Sequence, residues 1–132
     1  MIVGFTGMRD GMSECQKDQL ALMLMAFRNG RRDEFIHGAA VGADTQAAVI
    51  AEQVGFTIIA IPAGGDPLAR NREIVALCNV LIAAPKRDEE EQRSGTWATI
   101  RYARHAGIPV VMLSRWNRET ARPKFSRREV RT

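Results

Sequence analysis

The chain has 132 residues, of which 45% are hydrophobic and 26% are charged, and this is the size and composition of one globular domain. It contains no apolar run of the roughly 18 residues that a membrane span needs and begins without a signal-peptide pattern, so we expect a cytoplasmic protein without membrane contact. Its two cysteines, Cys15 and Cys78, lie far apart, which favours reduced thiols and argues against a metal site.

The net charge of +4 is unevenly distributed along the chain. Residues 115–132 carry seven arginines or lysines against two glutamates, so this segment holds +5 and residues 1–114 hold −1. We therefore divide the chain into a domain, 1–114, and a basic C-terminal tail, 115–132. The domain lacks the basic footprint of a nucleic-acid-binding surface, whereas the tail suits weak contacts with single-stranded nucleic acid.

The first half of the chain predicts two strands, over residues 2–6 and 35–37, and two helices, over residues 13–30 and 44–55. Ser13 with Gln16 three residues later forms a capping box at the start of the first helix. Asp44 is either the N-cap of the second helix or an acceptor for the hydroxyls of a ribose. Gly55 is placed to end that helix.

The second half predicts three strands and two helices, with the strands over residues 56–61, 80–83 and 108–113 and the helices over residues 66–78 and 94–107. The continuous apolar run 56–61 is typical of a strand buried on both faces of a parallel sheet. Five strands alternating with four helices, without hairpin signals, predict an α/β fold. It is a Rossmann-like three-layer sandwich with a five-stranded parallel sheet in the order 3-2-1-4-5.

Ligands of such a sheet bind beyond the carboxyl ends of its strands, where the strand order reverses. Three loops rich in glycine and small polar residues meet there, and backbone N–H groups at a helix start suit a phosphate. Arg70-Asn71-Arg72 adds guanidinium groups for oxyanions and an amide for a base or a ribose. The candidate ligand-binding residues are Thr6, Gly7, Met8, Arg9, Gly38, Ala39, Gly42, Ala43, Asp44, Arg70, Asn71, Arg72, Ser94, Gly95 and Thr96.

Several of these side chains have a second interpretation. Ser94 either donates to a phosphate or simply caps its helix, and each arginine is either a clamp or a solvated surface charge. Trp97 either joins the core face of its helix or stacks on a base. The acidic run 88–91 is either a solvated loop or a lid.

The fingerprints of two common nucleotide-using classes are missing. Gly4-Phe-Thr-Gly7 is not the GxGxxG motif, and His37 stands where an acidic residue would end the second strand, which argues against an NAD dehydrogenase. The P-loop motif is also missing. His37 and His105 have no visible Ser, Cys or carboxylate partner and are interpreted as structural or surface residues. We assign no catalytic residue and no certain cofactor.

Taken together, Gly4 to Arg9, the Gly38-x-x-x-Gly42-x-Asp44 turn, Arg70-Asn71-Arg72 and Ser94-Gly95-Thr96 resemble the SLOG superfamily over roughly residues 1–113. This superfamily groups the DNA-processing protein A family with LOG-like proteins. The resemblance implies a Rossmann-like fold with a pocket for a nucleotide or nucleotide derivative, often in a homodimer, and a chain of this size looks like a small bacterial or phage protein.

The resemblance is incomplete at one position that matters for activity. LOG-like phosphoribohydrolases carry a PGGxGTxxE motif, whose glutamate falls at Thr99 here. We therefore favour binding of a nucleotide-like ligand over catalysis. Two alternatives are a nucleotide hydrolase or phosphoribohydrolase-like enzyme that uses Asp44 or an acid from the charged loop, and single-stranded DNA binding of the DNA-processing protein A kind.

Overall fold

A computed structural model describes residues 1–115 of the chain. In chain order its elements are β1 (Ile2–Gly7), α1 (Glu14–Phe27), β2 (Glu34–His37), α2 (Ala43–Val54), β3 (Thr57–Ala60), α3 (Pro67–Leu77), β4 (Val80–Ala84), α4 (Gly95–His105) and β5 (Val110–Met112). The strands form one parallel sheet in the order β3-β2-β1-β4-β5. The predicted α/β class and strand order are confirmed. Of the basic tail, only Arg115 belongs to the described residues.

Helices cover both faces of this sheet, which makes the three layers. α1 packs with α2, and α3 packs with α4. Successive residues of β4 point to opposite faces of the sheet. Ile82 packs in the core cluster of α1 and α2, whereas Leu81 and Ala83 pack against α3 and α4. No helix within residues 1–115 is long and apolar enough to cross a membrane.

The helix ends follow the local signals of the sequence. Ser13 and Gln16 form the expected capping box of α1, and the Asp66 carboxylate caps α3 by accepting from the N–H groups of Leu68 and Ala69. Gly55 ends α2 in the left-handed conformation, with a φ of 114°. The predicted capping box and the predicted end of the second helix at Gly55 are confirmed.

The prediction for β3 is wrong in one respect. Thr57 and Ala60 are exposed, and Ile58 and Ile59 are only half-buried. In the described chain β3 pairs with β2 alone and forms the edge of the sheet. A run of apolar residues indicates a strand, but the burial of that strand depends on whether other strands flank it on both sides. None of the described strands pairs with the outer edge of β3.

Candidate functional site

A cavity of about 1040 Å³ opens at the carboxyl edge of the sheet, where the strand order reverses between β1 and β4. The candidate residues that line it are Thr6, Gly7, Met8, Arg9, Gly38, Ala39, Asp44, Arg70, Asn71, Ser94, Gly95 and Thr96. The fold therefore brings all four sequence motifs to one place. Lining residues that the sequence analysis did not select are Phe5, Ala40, Pro62, Ala63, Pro67, Lys86, Glu91, Gln92 and Arg93.

Three of the candidate residues do not line this cavity. Gly42 has a φ of 87°, and a Cβ there would overlap the backbone oxygen of Arg9. Ala43 is fully buried and donates its N–H to the Met8 carbonyl at 2.9 Å. Arg72 lies over the ring of Tyr102, with 5.7 Å between its guanidinium carbon and the ring centroid. Gly42 and Ala43 join the loops after β1 and β2, and Arg72 belongs to the outer surface of α3 and α4.

The Asp44 carboxylate is occupied by its own loop. Gly42 is the N-cap of α2 and makes no side-chain capping bond, so the prediction of Asp44 as the N-cap is wrong. The left-handed turn at Gly42 starts the helix earlier and places Asp44 in its first turn. Oδ2 of Asp44 accepts from the N–H of Gly38 at 2.9 Å and from that of Ala40 at 3.2 Å. Burial raises the pKa of Asp44, and these two bonds partly offset that effect.

The side chain of His37 stabilises the same turn. Its Nδ1 accepts from the N–H of Ala39 at 3.0 Å, so the N–H groups of residues 38, 39 and 40 are all bound by side chains. Burial lowers the pKa of His37, while the nearby Asp44 acts in the opposite direction. Nδ1 of His37 is thus engaged within the turn, which agrees with the interpretation of His37 as a structural residue.

Arg70 lies against this turn from α3. Its Nη1 donates to the Gly38 carbonyl and, at 3.5 Å, to that of Ile61, while its Nε donates to Oδ1 of Asn71 at 2.7 Å. A Cβ on Gly38 would overlap the guanidinium, so this glycine makes room for Arg70. The N–H pair on Nη2 makes no hydrogen bond to residues 1–115.

Asn71 connects Arg70 to α4. Its Nδ2 donates to Oγ1 of Thr99 at 2.9 Å, and that hydroxyl donates to the Gly95 carbonyl at 2.9 Å. Both ends of the Asn71 amide are therefore engaged within the protein. Thr99, the residue at the position of the LOG-type glutamate, is buried and takes part in this chain of hydrogen bonds.

The opposite wall of the cavity has backbone donors without partners. Gly95 and Thr96 are the first two residues of α4, and their N–H groups have no acceptor among the described residues. The N–H groups of Met8 and Arg9 also make no hydrogen bond within that part of the chain. A Cβ on Gly95 would meet no atom within 4 Å, so this glycine leaves open space beside the helix start.

Two hydroxyl groups face the same space. Thr6 and Thr96 are only 7% and 6% exposed, and both line the cavity. Neither Oγ1 makes a hydrogen bond within residues 1–115, and neither is sealed from solvent. Ser94 differs, because its Oγ accepts from the N–H of Trp97 at 3.2 Å and caps α4.

Positive charge surrounds these donors. Arg9, Lys86 and Arg93 are exposed, line the cavity and make no ion pair with other described residues. The acidic residues of the lining are Asp44 and Glu91. Lys86 and Arg93 are not among the candidate residues predicted from the sequence. The missed signal is position, since Lys86 follows the end of β4 and Arg93 precedes the helix cap.

The loop between β4 and α4 is held from α4. Nη1 of Arg101 contacts the Glu90 carboxylate at 2.8 Å and donates to the Glu91 carbonyl at 3.4 Å, and its Nη2 donates to that of Gln92 at 3.3 Å. Residues 88–91 thus form an anchored loop. Within residues 1–115, no group of three or more His, Cys, Asp or Glu residues is placed to hold a metal ion.

Trp97 belongs to the core. It is 4% exposed and packs with Ala83 and Ile100 between α4 and the sheet. It does not line the cavity, so the interpretation of Trp97 as a base-stacking residue is wrong.

The fold and the cavity together define a Rossmann-like protein with an open site at the switch point of its sheet. No protein-family model matches the sequence, and no curated protein sequence is significantly similar to it. Solved structures do share its fold. A molybdenum cofactor binding protein from the phototrophic bacterium Rippkaea orientalis has a TM-score of 0.63 and 20% identity, over 86% of this chain and 76% of that one.

A second similar structure is DNA processing protein A from Helicobacter pylori, which binds single-stranded DNA. Its TM-score is 0.61 and its identity 20%, over 99% of this chain and 72% of that one. Identities this low establish similarity of fold alone. At that level both structures agree with the predicted Rossmann-like fold.

Proposed function

We propose that this protein binds the phosphate of a nucleotide or nucleotide-derived ligand between the loop after β1 and the start of α4. The observation that carries the proposal is the group of donors without partners: the N–H groups of Met8, Arg9, Gly95 and Thr96 and the hydroxyls of Thr6 and Thr96. Donors that line an open cavity and have no partner in the protein can bind a ligand, and phosphate oxygens are strong acceptors.

The surrounding charge supports the same ligand chemistry. Arg9, Lys86 and Arg93 are exposed cations in the lining, where they attract an anion and stabilise it after binding. The helix dipole of α4 adds partial positive charge at Gly95. Because Gly95 has no side chain, a phosphate can approach the helix start closely.

The size of the cavity indicates a ligand larger than phosphate. Its volume of about 1040 Å³ is that of a cavity for an organic ligand. Phe5 is the aromatic residue in the described lining, and it is 1% exposed, so we expect little stacking on a base. Recognition should therefore depend mainly on the phosphate groups and tolerate different bases.

Isothermal titration calorimetry with ADP, GDP, ADP-ribose and adenosine tests the proposal. ADP and GDP should bind with similar affinity, and adenosine should bind at least about tenfold more weakly because it lacks the charged group that the donors hold. Gly95→Asp should weaken ADP binding about tenfold or more, since it places a carboxylate in the phosphate space.

Val49→Asp is the matched control, because it adds the same charge at a side chain that is 53% exposed on α2 and does not line the cavity. It should bind ADP like the wild type. The proposal is wrong if the wild-type protein binds none of the phosphorylated compounds, or if Gly95→Asp binds ADP as well as the wild type does.

Three wider expectations are proposals that the same protein preparations can test. We propose a cytoplasmic protein that forms a homodimer or a higher homo-oligomer, whose mass light scattering gives directly. We also propose that the basic tail, whose residues 116–132 lie outside the described part of the chain, adds weak contacts to single-stranded DNA. Removing residues 116–132 should lower affinity for an oligothymidine and reduce its dependence on salt. An unchanged salt dependence would contradict a role for the tail.

A further inference from the structure

The guanidinium of Arg70 is held in one orientation by its own protein. Of its five N–H groups, the one on Nε and the two on Nη1 point to protein acceptors, namely Asn71 Oδ1 and the carbonyls of Gly38 and Ile61. The pair on Nη2 has no partner among residues 1–115. Arg70 is half-buried and lines the cavity, so its unused donors belong to the site.

The hydrogen bonds behind Arg70 have a fixed direction. A threonine hydroxyl has one proton, and that of Thr99 goes to the Gly95 carbonyl at 2.9 Å. Towards Asn71 the hydroxyl is therefore an acceptor, and it takes the Nδ2 proton at 2.9 Å. This places the other end of the amide, Oδ1, against Nε of Arg70 at 2.7 Å. The acceptor Thr99 and the donor Arg70 thus require the same orientation of the Asn71 amide.

We propose that Thr99 and Asn71 are positioning residues, which hold Arg70 so that its Nη2 donors bind an anionic oxygen of the ligand. This inference rests on the proposed phosphate-binding function. The same chain ends on the Gly95 carbonyl, and the N–H of Gly95 is one of the phosphate donors. The network therefore fixes the position of the Arg70 guanidinium relative to the start of α4, so that one ligand can bind both groups.

The first test needs no ligand. Thr99→Val keeps the shape of the side chain and removes the acceptor of Asn71, so the amide is held by Arg70 alone and restrains Arg70 Nε–H less. In this variant the Arg70 Nε proton should exchange with water about fivefold faster or more than in the wild type, as measured by nitrogen-edited NMR. Thr99→Ser retains the hydroxyl and should exchange like the wild type. Equal exchange in all three proteins would overturn the inference.

A second variant keeps the test decisive if Thr99→Val fails to fold. Asn71→Asp presents an oxygen to Arg70 whichever way the side chain is turned, so exchange at Nε should stay as slow as in the wild type. Fast exchange in a folded Asn71→Asp protein would contradict the orienting role of the amide.

Binding of ADP then separates positioning from general support of the fold. Thr99→Val should weaken ADP binding about fivefold in the wild-type background and leave it unchanged in an Arg70→Gln background, since the effect is exerted through Arg70. Equal weakening in both backgrounds would show a merely structural role and overturn the inference. If the wild-type protein binds no ADP, the proposed function fails, while the exchange measurements still decide whether Thr99 orients Arg70.

Discussion

Two walls of the cavity differ in how their hydrogen-bonding groups are used. On the turn side, residues 37–44, every N–H from Gly38 to Ala40 is bound by a side chain of the same turn. On the donor side, residues 6–9 with 95 and 96, the N–H groups of Met8, Arg9, Gly95 and Thr96 and the hydroxyls of Thr6 and Thr96 have no partner among the described residues. Both sides contain glycine and small residues. The comparison teaches that glycine content alone does not distinguish a wall closed by its own packing from a wall with unused donors.

The two sides contain glycine for different physical reasons. At Gly38 the space of a Cβ is filled by the Arg70 guanidinium, and at Gly42 by the backbone of Arg9. At Gly95 the same space is open to the cavity. The turn side therefore needs glycine for its own packing, whereas the donor side leaves room for another molecule. The four predictions below test this difference.

The largest effect should come from the glycine that packs most tightly. Gly42→Ala should lower the free energy of unfolding by about 3 kcal/mol, because φ of 87° is strained for alanine and the new Cβ overlaps Arg9. Gly95→Ala, in the first turn of α4, should change it by less than about 1 kcal/mol. Urea denaturation of both variants measures this, and equal costs would contradict the distinction between the two sides.

Removal of the acceptor on the turn side should have the next largest effect. Asp44→Ala leaves the N–H groups of Gly38 and Ala40 without their acceptor, and we expect a loss of about 2 kcal/mol in the free energy of unfolding. Asp44→Asn retains an oxygen at that place and should lose about half as much. Amide hydrogen exchange at Gly38 should accelerate in the alanine variant; unchanged exchange there would mean that the carboxylate does not hold the turn.

The donor side should respond in binding and not in stability. Arg93→Ala removes one exposed cation of the lining, so ADP binding should weaken about fivefold, close to 1 kcal/mol, and become less sensitive to salt. The unfolding free energy should stay within about 0.5 kcal/mol of the wild type. Arg87→Ala is the matched control, since Arg87 is exposed in the same loop and does not line the cavity. Equal weakening in both variants would point to general charge attraction.

The smallest effect is a pH dependence from the turn side. Burial lowers the pKa of His37 from its ordinary 6.5, so below that value the unfolded chain binds a proton that the folded protein does not. The free energy of unfolding should therefore fall as the pH decreases from 6.5 towards the lowered pKa of His37, by at most about 1.4 kcal/mol per pH unit. The raised pKa of Asp44 acts in the opposite direction at lower pH.

His37→Asn isolates this contribution, because an amide oxygen can accept from the N–H of Ala39 and does not titrate. The stability of the variant should depend less on pH between neutrality and the ordinary pKa of histidine. Parallel pH profiles for the two proteins, measured by urea denaturation, would show that His37 does not contribute.

Much of the fold could be predicted because its signals are local. The capping box at Ser13, the cap at Asp66 and the stop at Gly55 each depend on a few neighbouring residues. The exposure of β3 could not be predicted in this way, since it depends on which strands pair. For the same reason the sequence indicated the loops of the site but not the cations Lys86 and Arg93, whose importance comes from where the loop lies.

The sequence by itself determined the alternation of strands and helices and the class of the fold, because apolar periodicity and helix caps act over short distances. It also determined which loops meet, because the carboxyl ends of parallel strands share one edge. Only the tertiary structure decided which polar groups remain unused. A hydrogen bond such as Asn71 to Thr99 joins residues from different helices, so the division into a closed turn side and an open donor side arises from packing.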